Sequence, residues 1–160
     1  MPISPMRCCP LANKLKWVLR QEKIFLYKIT VYNNQLVYIK WQGIPLPTEC
    51  TEFLTELTAL LDNAVAPLAI ISDLRKGHIT DVQALRTLSN LASHPNVVGS
   101  SSFGDTAGTK VYGGVFSRFV GNKNNHLIRE RLSLALSDLE KLKPGVTQNI
   151  DWDSLIKDRD

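Results

Sequence analysis

The sequence has little cysteine and no long apolar run, and both absences narrow the classes of protein to consider. It contains three cysteines, of which Cys8 and Cys9 are adjacent, so it carries neither a disulfide framework nor a CxxC zinc pair. Cys50 falls at an apolar position of a predicted helix, where a small core residue is expected. No stretch reaches the roughly 18 apolar residues of a membrane-spanning helix. Basic residues within 14–20 interrupt any signal-peptide core, so we expect a protein of the reducing cytoplasm.

Catalytic and metal-binding motifs are also missing. The three histidines form no HExxH or paired arrangement, and the serines at 100–102 lack a GxSxG elbow. The segment 104–110 has the wrong spacing for a phosphate loop, because Thr109 separates Gly108 from the lysine. We therefore predict no enzyme, no metal and no cofactor. Backbone N–H groups at such a strand-to-helix turn can still hold an anion, which makes Gly104 and Lys110 candidate binding residues.

Composition favours one compact globular domain, with 44% hydrophobic and 21% charged residues. The net charge is +4, but the basic residues are scattered rather than clustered, so no nucleic-acid partner is expected. We divide the chain into an N-terminal extension at 1–23 with a short helix as one option, an α/β domain at 24–143, and a C-terminal tail at 144–160.

The first strong structural signal is a β-hairpin. Residues 24–32 and 36–41 alternate apolar with polar side chains, which is typical of strands with one better-buried face. Asn33 and Asn34 lie between them, and asparagine tolerates the positive φ of a tight turn. The hairpin edge is predicted to be exposed, which would permit a homodimer.

Downstream of the hairpin, strand-like segments alternate with amphipathic helices. Residues 68–72 form a short uninterrupted apolar run, which indicates a central strand buried on both faces. The spacing predicts helices over 48–61, 80–93 and 104–120, and another strand over 97–103. This order predicts a single α/β domain with a mixed sheet of about five strands and helices packed on it.

The segment before Pro144 has two interpretations. Apolar residues from Ile128 to Leu142 fit one long helix. Alternatively Ser133 caps a shorter helix, which releases 127–131 to form an edge strand. We favour the strand followed by a helix.

Residues 24–142 resemble the STAS domain of anti-sigma-factor antagonists, in particular its STAS-like bacterial relatives. Residues 68–74, with the sequence LAIISDL, match the family's "lvlDls" strand, and Asp81 falls on the first position of its "DSsGL" motif. Val82 stands where the family has its phosphoacceptor serine, and Ala84 replaces the glycine. The resemblance therefore implies the fold and a regulatory role, without the usual phosphorylation switch.

The end of the matched region carries a second part of the resemblance. Arg118-Phe119-Val120 followed by Ala135-Leu136-Ser137-Asp138-Leu139 is similar to the "Rfv … eeAlayL" ending of STAS-like bacterial proteins that lack the phosphoacceptor serine.

Thr80 is the obvious substitute phosphoacceptor, since a phosphate there would meet a helix N-terminus. A capping box formed by Thr80 and Gln83 explains the threonine more simply, and we favour it.

The loop that leaves the central strand carries the remaining candidate binding residues. In open α/β sheets, ligands bind at the carboxyl ends of strands. The residues at this position able to hold an anion or a protein partner are Asp73, Arg75, Lys76 and His78.

These features together predict a non-catalytic binding or regulatory module. Its partner is expected to be a protein or a small anionic ligand at the 73–80 loop. The alternative is a lipid carrier of the CRAL-TRIO or STAS-like type, in which the helix containing Gly113 and Gly114 moves to admit an apolar ligand.

Overall fold

A computed structural model describes residues 25–121 and 126–157 of the chain. It begins with the predicted hairpin, formed by antiparallel strands β1 (Tyr27–Tyr32) and β2 (Leu36–Trp41). Asn33 and Asn34 both adopt φ of 52°, which confirms the predicted tight turn. The predicted N-terminal extension with Cys8 and Cys9 lies outside the described residues.

The rest of the chain alternates helices and strands, which confirms the α/β class. The remaining elements are α1 (Pro47–Asp62), β3 (Leu68–Asp73), α2 (Val82–Leu91), β4 (Val97–Phe103), α3 (Ala107–Val120), β5 (His126–Arg129), α4 (Leu132–Leu142) and α5 (Trp152–Ile156). The sheet has the order β1-β2-β3-β4-β5, and every pair after the hairpin is parallel. β3 is therefore the central strand, as its apolar run predicts.

Two hydrophobic layers cover the sheet. Side chains alternate between faces along a strand, so Ile70 packs under α1, α2 and α3 while Ile71 packs against α4. Phe53 of α1 and Phe116 of α3 are almost fully buried in the first layer, and Leu139 of α4 is fully buried in the second. The successive crossover helices α1 to α3 share one face, whereas the chain after β5 crosses to the other.

Helix boundaries differ from the sequence predictions at their amino ends. α2 begins at Val82 rather than at 80, and α3 begins at Ala107 rather than at 104, because Asp81 and Thr106 are the respective caps. The strand followed by a helix after residue 125 is confirmed by β5 and α4. Ser133 is not the cap, since α4 begins at Leu132.

The described part of the C-terminal tail packs onto the second layer. Val146 is buried, and the Trp152 ring lies 6.0 Å from Tyr38 of β2 in an edge-to-face contact. The Trp152 Nε1–H donates to the Thr147 carbonyl, and the Glu140 carboxylate accepts from the backbone N–H of Thr147. The tail therefore forms part of the layer beside α4.

Candidate functional site

The carboxyl ends of β2, β3, β4 and β5 lie at one edge of the sheet, which we call the carboxyl edge. These strands run parallel, so the loops that follow them, at 42–46, 74–81, 104–106 and 130–131, gather there. Each binding residue singled out from the sequence belongs to one of these loops or to the adjoining end of a strand or helix. The sequence thus placed its candidates on one side of the molecule, where open α/β sheets bind ligands.

Asp73 is buried and its carboxylate is bonded within the chain. It is 2% exposed and accepts hydrogen bonds from the Tyr38 hydroxyl at 3.1 Å and the Arg75 backbone N–H at 3.1 Å. The Arg75 guanidinium donates two more, from Nε at 2.9 Å and Nη2 at 2.7 Å. A carboxylate with four protein donors shapes the loop rather than facing a partner.

Arg75 also ties the loop to the C-terminal tail. Its Nη1 donates to the Ile156 carbonyl at 3.3 Å, and its guanidinium carbon lies 5.5 Å from the centre of the Phe103 ring. Planar guanidinium groups suit such combined ion-pair and aromatic contacts. The cation is therefore committed largely to Asp73 and the tail.

His78 and Lys76 occupy different environments. The His78 ring is half-buried, 5.9 Å from the Tyr112 ring, and burial lowers the pKa of its imidazole. That ring therefore carries little charge at neutral pH and is a weak anion ligand. Lys76 is exposed.

Gly77 brings two loops of the carboxyl edge into direct contact. A Cβ atom at Gly77 would lie 2.0 Å from the Gly43 carbonyl oxygen, so the two backbones touch. No side chain larger than hydrogen fits between them. The 73–80 loop is consequently braced against the loop that follows β2.

We expect Gly77→Ala to lower the free energy of unfolding by about 1–3 kcal/mol, the usual cost of forcing atoms into a packed region. Thermal unfolding measures this. Gly114→Ala is the matched control, because an added Cβ there has no atom within 4 Å and the helix gains about 0.5–1 kcal/mol from replacing glycine. A Gly77→Ala midpoint equal to that of the wild type would contradict the backbone contact.

Thr80 is exposed and does not cap the helix. The Asp81 carboxylate accepts from the Ala84 backbone N–H at 2.7 Å, so the predicted capping box of Thr80 and Gln83 is wrong. Aspartate outcompetes the preceding threonine because it is among the strongest N-cap residues. Thr80 remains a candidate phosphoacceptor only because it lies just before the N-terminus of α2.

Gly104 and Thr109, the residue before Lys110, lie beside the 73–80 loop. The buried Thr109 hydroxyl donates to the Leu74 carbonyl at 3.2 Å, and a Cβ at Gly104 would lie 2.7 Å from that hydroxyl oxygen. Thr106 caps α3 by accepting from the Thr109 backbone N–H. The structure therefore brings the turn after β4 and the 73–80 loop together, as their places at neighbouring strand ends predict.

Lys110 lines a cleft of about 290 Å³ where the chain after β4 and the chain after β5 turn to opposite faces of the sheet. Its ammonium lies 4.0 Å from the Glu130 carboxylate, and both side chains are largely exposed. Arg129 also lines the cleft but is paired with Asp138, with 2.5 Å between Nε and Oδ2. The charges around this cleft are therefore largely balanced.

An open groove between α1 and α2 was not predicted from the sequence. This α1–α2 groove has a volume of about 760 Å³ and runs from Pro47 and Asp81 along both helices. Threonines line it, and their hydroxyls donate to carbonyls four residues earlier; these are Thr51, Thr55, Thr58 and Thr87. The sequence signal for this groove is the spacing of Thr51, Thr55 and Thr58, which places them on one face of α1 beside its buried apolar residues.

Aliphatic side chains are exposed near the Pro47 and Asp81 end of the groove. Ile44 is 57% exposed, Leu46 is 65% exposed and Val82 is 56% exposed. Ile44 follows Gly43, whose backbone touches Gly77, so the aliphatic residues adjoin the 73–80 loop. Leu46 directly precedes the groove residue Pro47, and Val82 directly follows the groove residue Asp81. Exposed apolar residues gathered at one place mark interaction sites in soluble proteins.

A small cavity lies beneath the helices, between the sheet and α1 to α3. Its volume is about 30 Å³, and aromatic and aliphatic side chains form most of its wall. Three polar side chains of the sheet also line it: Ser72, Ser100 and His126. We call it the Ser–His cavity.

The chain matches no protein-family model and no curated protein. The five-stranded mixed sheet with helices is compatible with the predicted STAS-like fold. Within 25–121 and 126–157, no helix is both long and apolar enough to cross a membrane, and His, Cys, Asp and Glu form no cluster able to hold a metal ion.

Proposed function

We propose that this chain is a STAS-like, non-catalytic module that binds another protein through the exposed part of the 73–80 loop and the adjoining α1–α2 groove. The observation that carries the proposal is the groove with exposed Ile44, Leu46 and Val82 at its end. The loops around this end are held by the contact between Gly43 and Gly77, so a partner meets a preorganised surface.

A protein partner is favoured over a small anion because the predicted anion ligands are mostly engaged. Arg75 is bonded to Asp73 and to the tail, and burial lowers the pKa of His78. The neighbouring Lys110 faces Glu130. The exposed aliphatic residues have no use in binding an anion, but they suit a protein interface.

The charge of α1 indicates the chemistry of the partner. This helix carries four acidic residues and no lysine or arginine: Glu49, Glu52, Glu56 and Asp62. Of these four, Asp62 lines the groove and also bonds to His94 Nε2 at 3.0 Å, and Asp81 of the adjoining loop lines it too. A partner segment with aliphatic and basic side chains would complement this surface, and its binding would weaken as salt is raised.

The lipid-carrier alternative has less support. Pockets for small ligands usually have volumes of about 300–1,000 Å³, whereas the Ser–His cavity has about 30 Å³. The α1–α2 groove is larger but open to solvent. An acyl chain would need a cavity that α3 opens by moving away from the sheet.

Affinity capture from the native lysate, with proteins quantified by mass spectrometry, tests the proposal. Val82→Asp should reduce capture of the specific partner about tenfold or more, because burying an unpaired carboxylate costs more than the roughly 1.4 kcal/mol that tenfold represents. Val65→Asp is the matched control at an exposed valine near the opposite end of α1, and it should capture as the wild type does.

Capture that is equal for Val82→Asp, Val65→Asp and the wild type would contradict the proposed surface. Raising the salt concentration in the wash tests the basic character of the partner separately from the position of the binding surface. A partner lost only from Val82→Asp, but insensitive to salt, would support the surface and contradict the predicted basic character of the partner.

A further inference from the structure

Polar side chains form part of the sheet face that α1, α2 and α3 cover. Strand pairing places Ser100 between Ile70 and His126, and it places Ser72 beside Ser102. Parallel strands buried under helices are normally rich in valine, isoleucine and leucine. Serines and a histidine at these positions therefore need partners that the apolar helices do not supply.

Two atoms of this group have no hydrogen-bond partner in the described part of the chain. The Ser100 hydroxyl bonds to His126 Nδ1, which leaves His126 Nε2 on the other side of the ring. His126 Nε2 and the Ser102 hydroxyl are both buried and unbonded. Each such atom costs about 1–3 kcal/mol, so folded proteins rarely leave one without a protein or water partner.

The Ser–His cavity provides the space for such a partner. His126, Ser72 and Ser100 line it, together with Tyr112 and Phe116 of α3. The Phe116 ring lies 4.5 Å from the His126 ring. A volume of about 30 Å³ exceeds the roughly 10–15 Å³ that one water requires, yet it is far below that of a pocket for an organic ligand.

We propose that the Ser–His cavity is a binding site for one or two water molecules held by His126 Nε2 and the hydroxyls of Ser72 and Ser100. A neutral imidazole has one donor and one acceptor nitrogen, and the Ser100 hydroxyl can bond to Nδ1 in either tautomer. Water serves either arrangement, because it donates to Nε2 in one tautomer and accepts from it in the other. Two or more polar partners meet the usual requirement for a buried water.

A crystal structure of the full chain at about 1.5 Å resolution or better tests this directly. The expected result is a solvent peak about 2.7–3.2 Å from His126 Nε2, inside the cavity. In solution, the same bound water should give a rotating-frame cross-relaxation peak with the His126 ring protons. An empty cavity without this signal would overturn the proposal, and so would density for a molecule larger than water.

Variants provide the controls. His126→Phe removes the polar ring and should abolish the buried solvent peak. Ser89→Ala is the matched control, because Ser89 is also buried but bonds to the Arg86 carbonyl within α2 and does not itself line the cavity. It should keep the peak. Loss of the solvent peak in Ser89→Ala, or its persistence at the same position in His126→Phe, would overturn the assignment. If His126→Phe does not fold, the presence or absence of the peak in the wild-type structure tests the proposal.

Discussion

Replacing Asp73 with alanine is expected to lower the free energy of unfolding by about 3 kcal/mol, because several hydrogen bonds to one buried carboxylate are lost together. The variant would leave the Arg75 guanidinium without its carboxylate and the Tyr38 hydroxyl without its acceptor. It would also loosen the contact between Arg75 and the Ile156 carbonyl, because the carboxylate orients the guanidinium. The loop, β2 and the tail all depend on this one side chain.

Denaturant unfolding followed by circular dichroism measures the effect. The thermal midpoint should fall by about 6–12 °C, given about 2–4 °C for each kcal/mol in a domain of this size. Asp105→Ala is the matched control at an exposed aspartate of the same edge, and it should change stability by less than about 0.5 kcal/mol. Equal midpoints for the two variants would show that the Asp73 network contributes no stability.

Acidification is expected to destabilise the protein through His126. Burial lowers the pKa of its imidazole from 6.5 to about 4. The unfolded chain takes up this proton near pH 6.5, whereas the folded protein takes it up only near pH 4. The free energy of unfolding is therefore unaffected by protonation of His126 above about pH 6.5. It falls by up to about 3 kcal/mol as the pH is lowered towards 4.

Unfolding free energies measured between pH 7 and pH 4 test this prediction. His126→Gln should show a smaller loss than the wild type over that range, because glutamine takes up no proton. Part of the slope should persist in the variant, since burial also lowers the pKa of His78. Nuclear magnetic resonance follows the titration of the His126 ring directly. A titration midpoint near pH 6.5 in the folded protein would contradict the buried environment of the ring.

The elements that could be predicted are those with strong local signals. The two asparagines fixed the hairpin turn, and the apolar run at 68–72 identified β3 as central because both of its faces are covered. The sequence predicts starts for α2 and α3 that are two or three residues too early, since adjacent polar residues compete to cap a helix and only the structure shows that Asp81 and Thr106 do so.

The candidate site was only partly predictable. Strand polarity placed Asp73 at the carboxyl edge, but its partner Tyr38 lies 35 residues earlier and the Ile156 carbonyl lies 81 residues after Arg75. No local pattern shows that these groups are hydrogen-bonded to one another. A sequence interpretation therefore takes Asp73 and Arg75 as available for a partner when the fold uses them internally.

His126 illustrates the same limit. In sequence it is a lone histidine at the start of an uncertain strand, whereas the register of β4 and β5 sets it beside Ser100 and over the cavity. The α1–α2 groove depends likewise on how two helices pack, since each contributes only one wall. Pairing and packing between distant segments determine both features.

Site-specific photocrosslinking tests the proposed binding surface most directly. A benzoylphenylalanine in place of Thr55, an exposed residue that lines the α1–α2 groove, is compared in native lysate with the same group in place of Val65. We expect a covalent adduct with one defined protein from position 55, which Val82→Asp in the same chain abolishes, and no such adduct from position 65. An adduct with the same protein from position 65 alone, or none from position 55, would contradict the proposed binding surface.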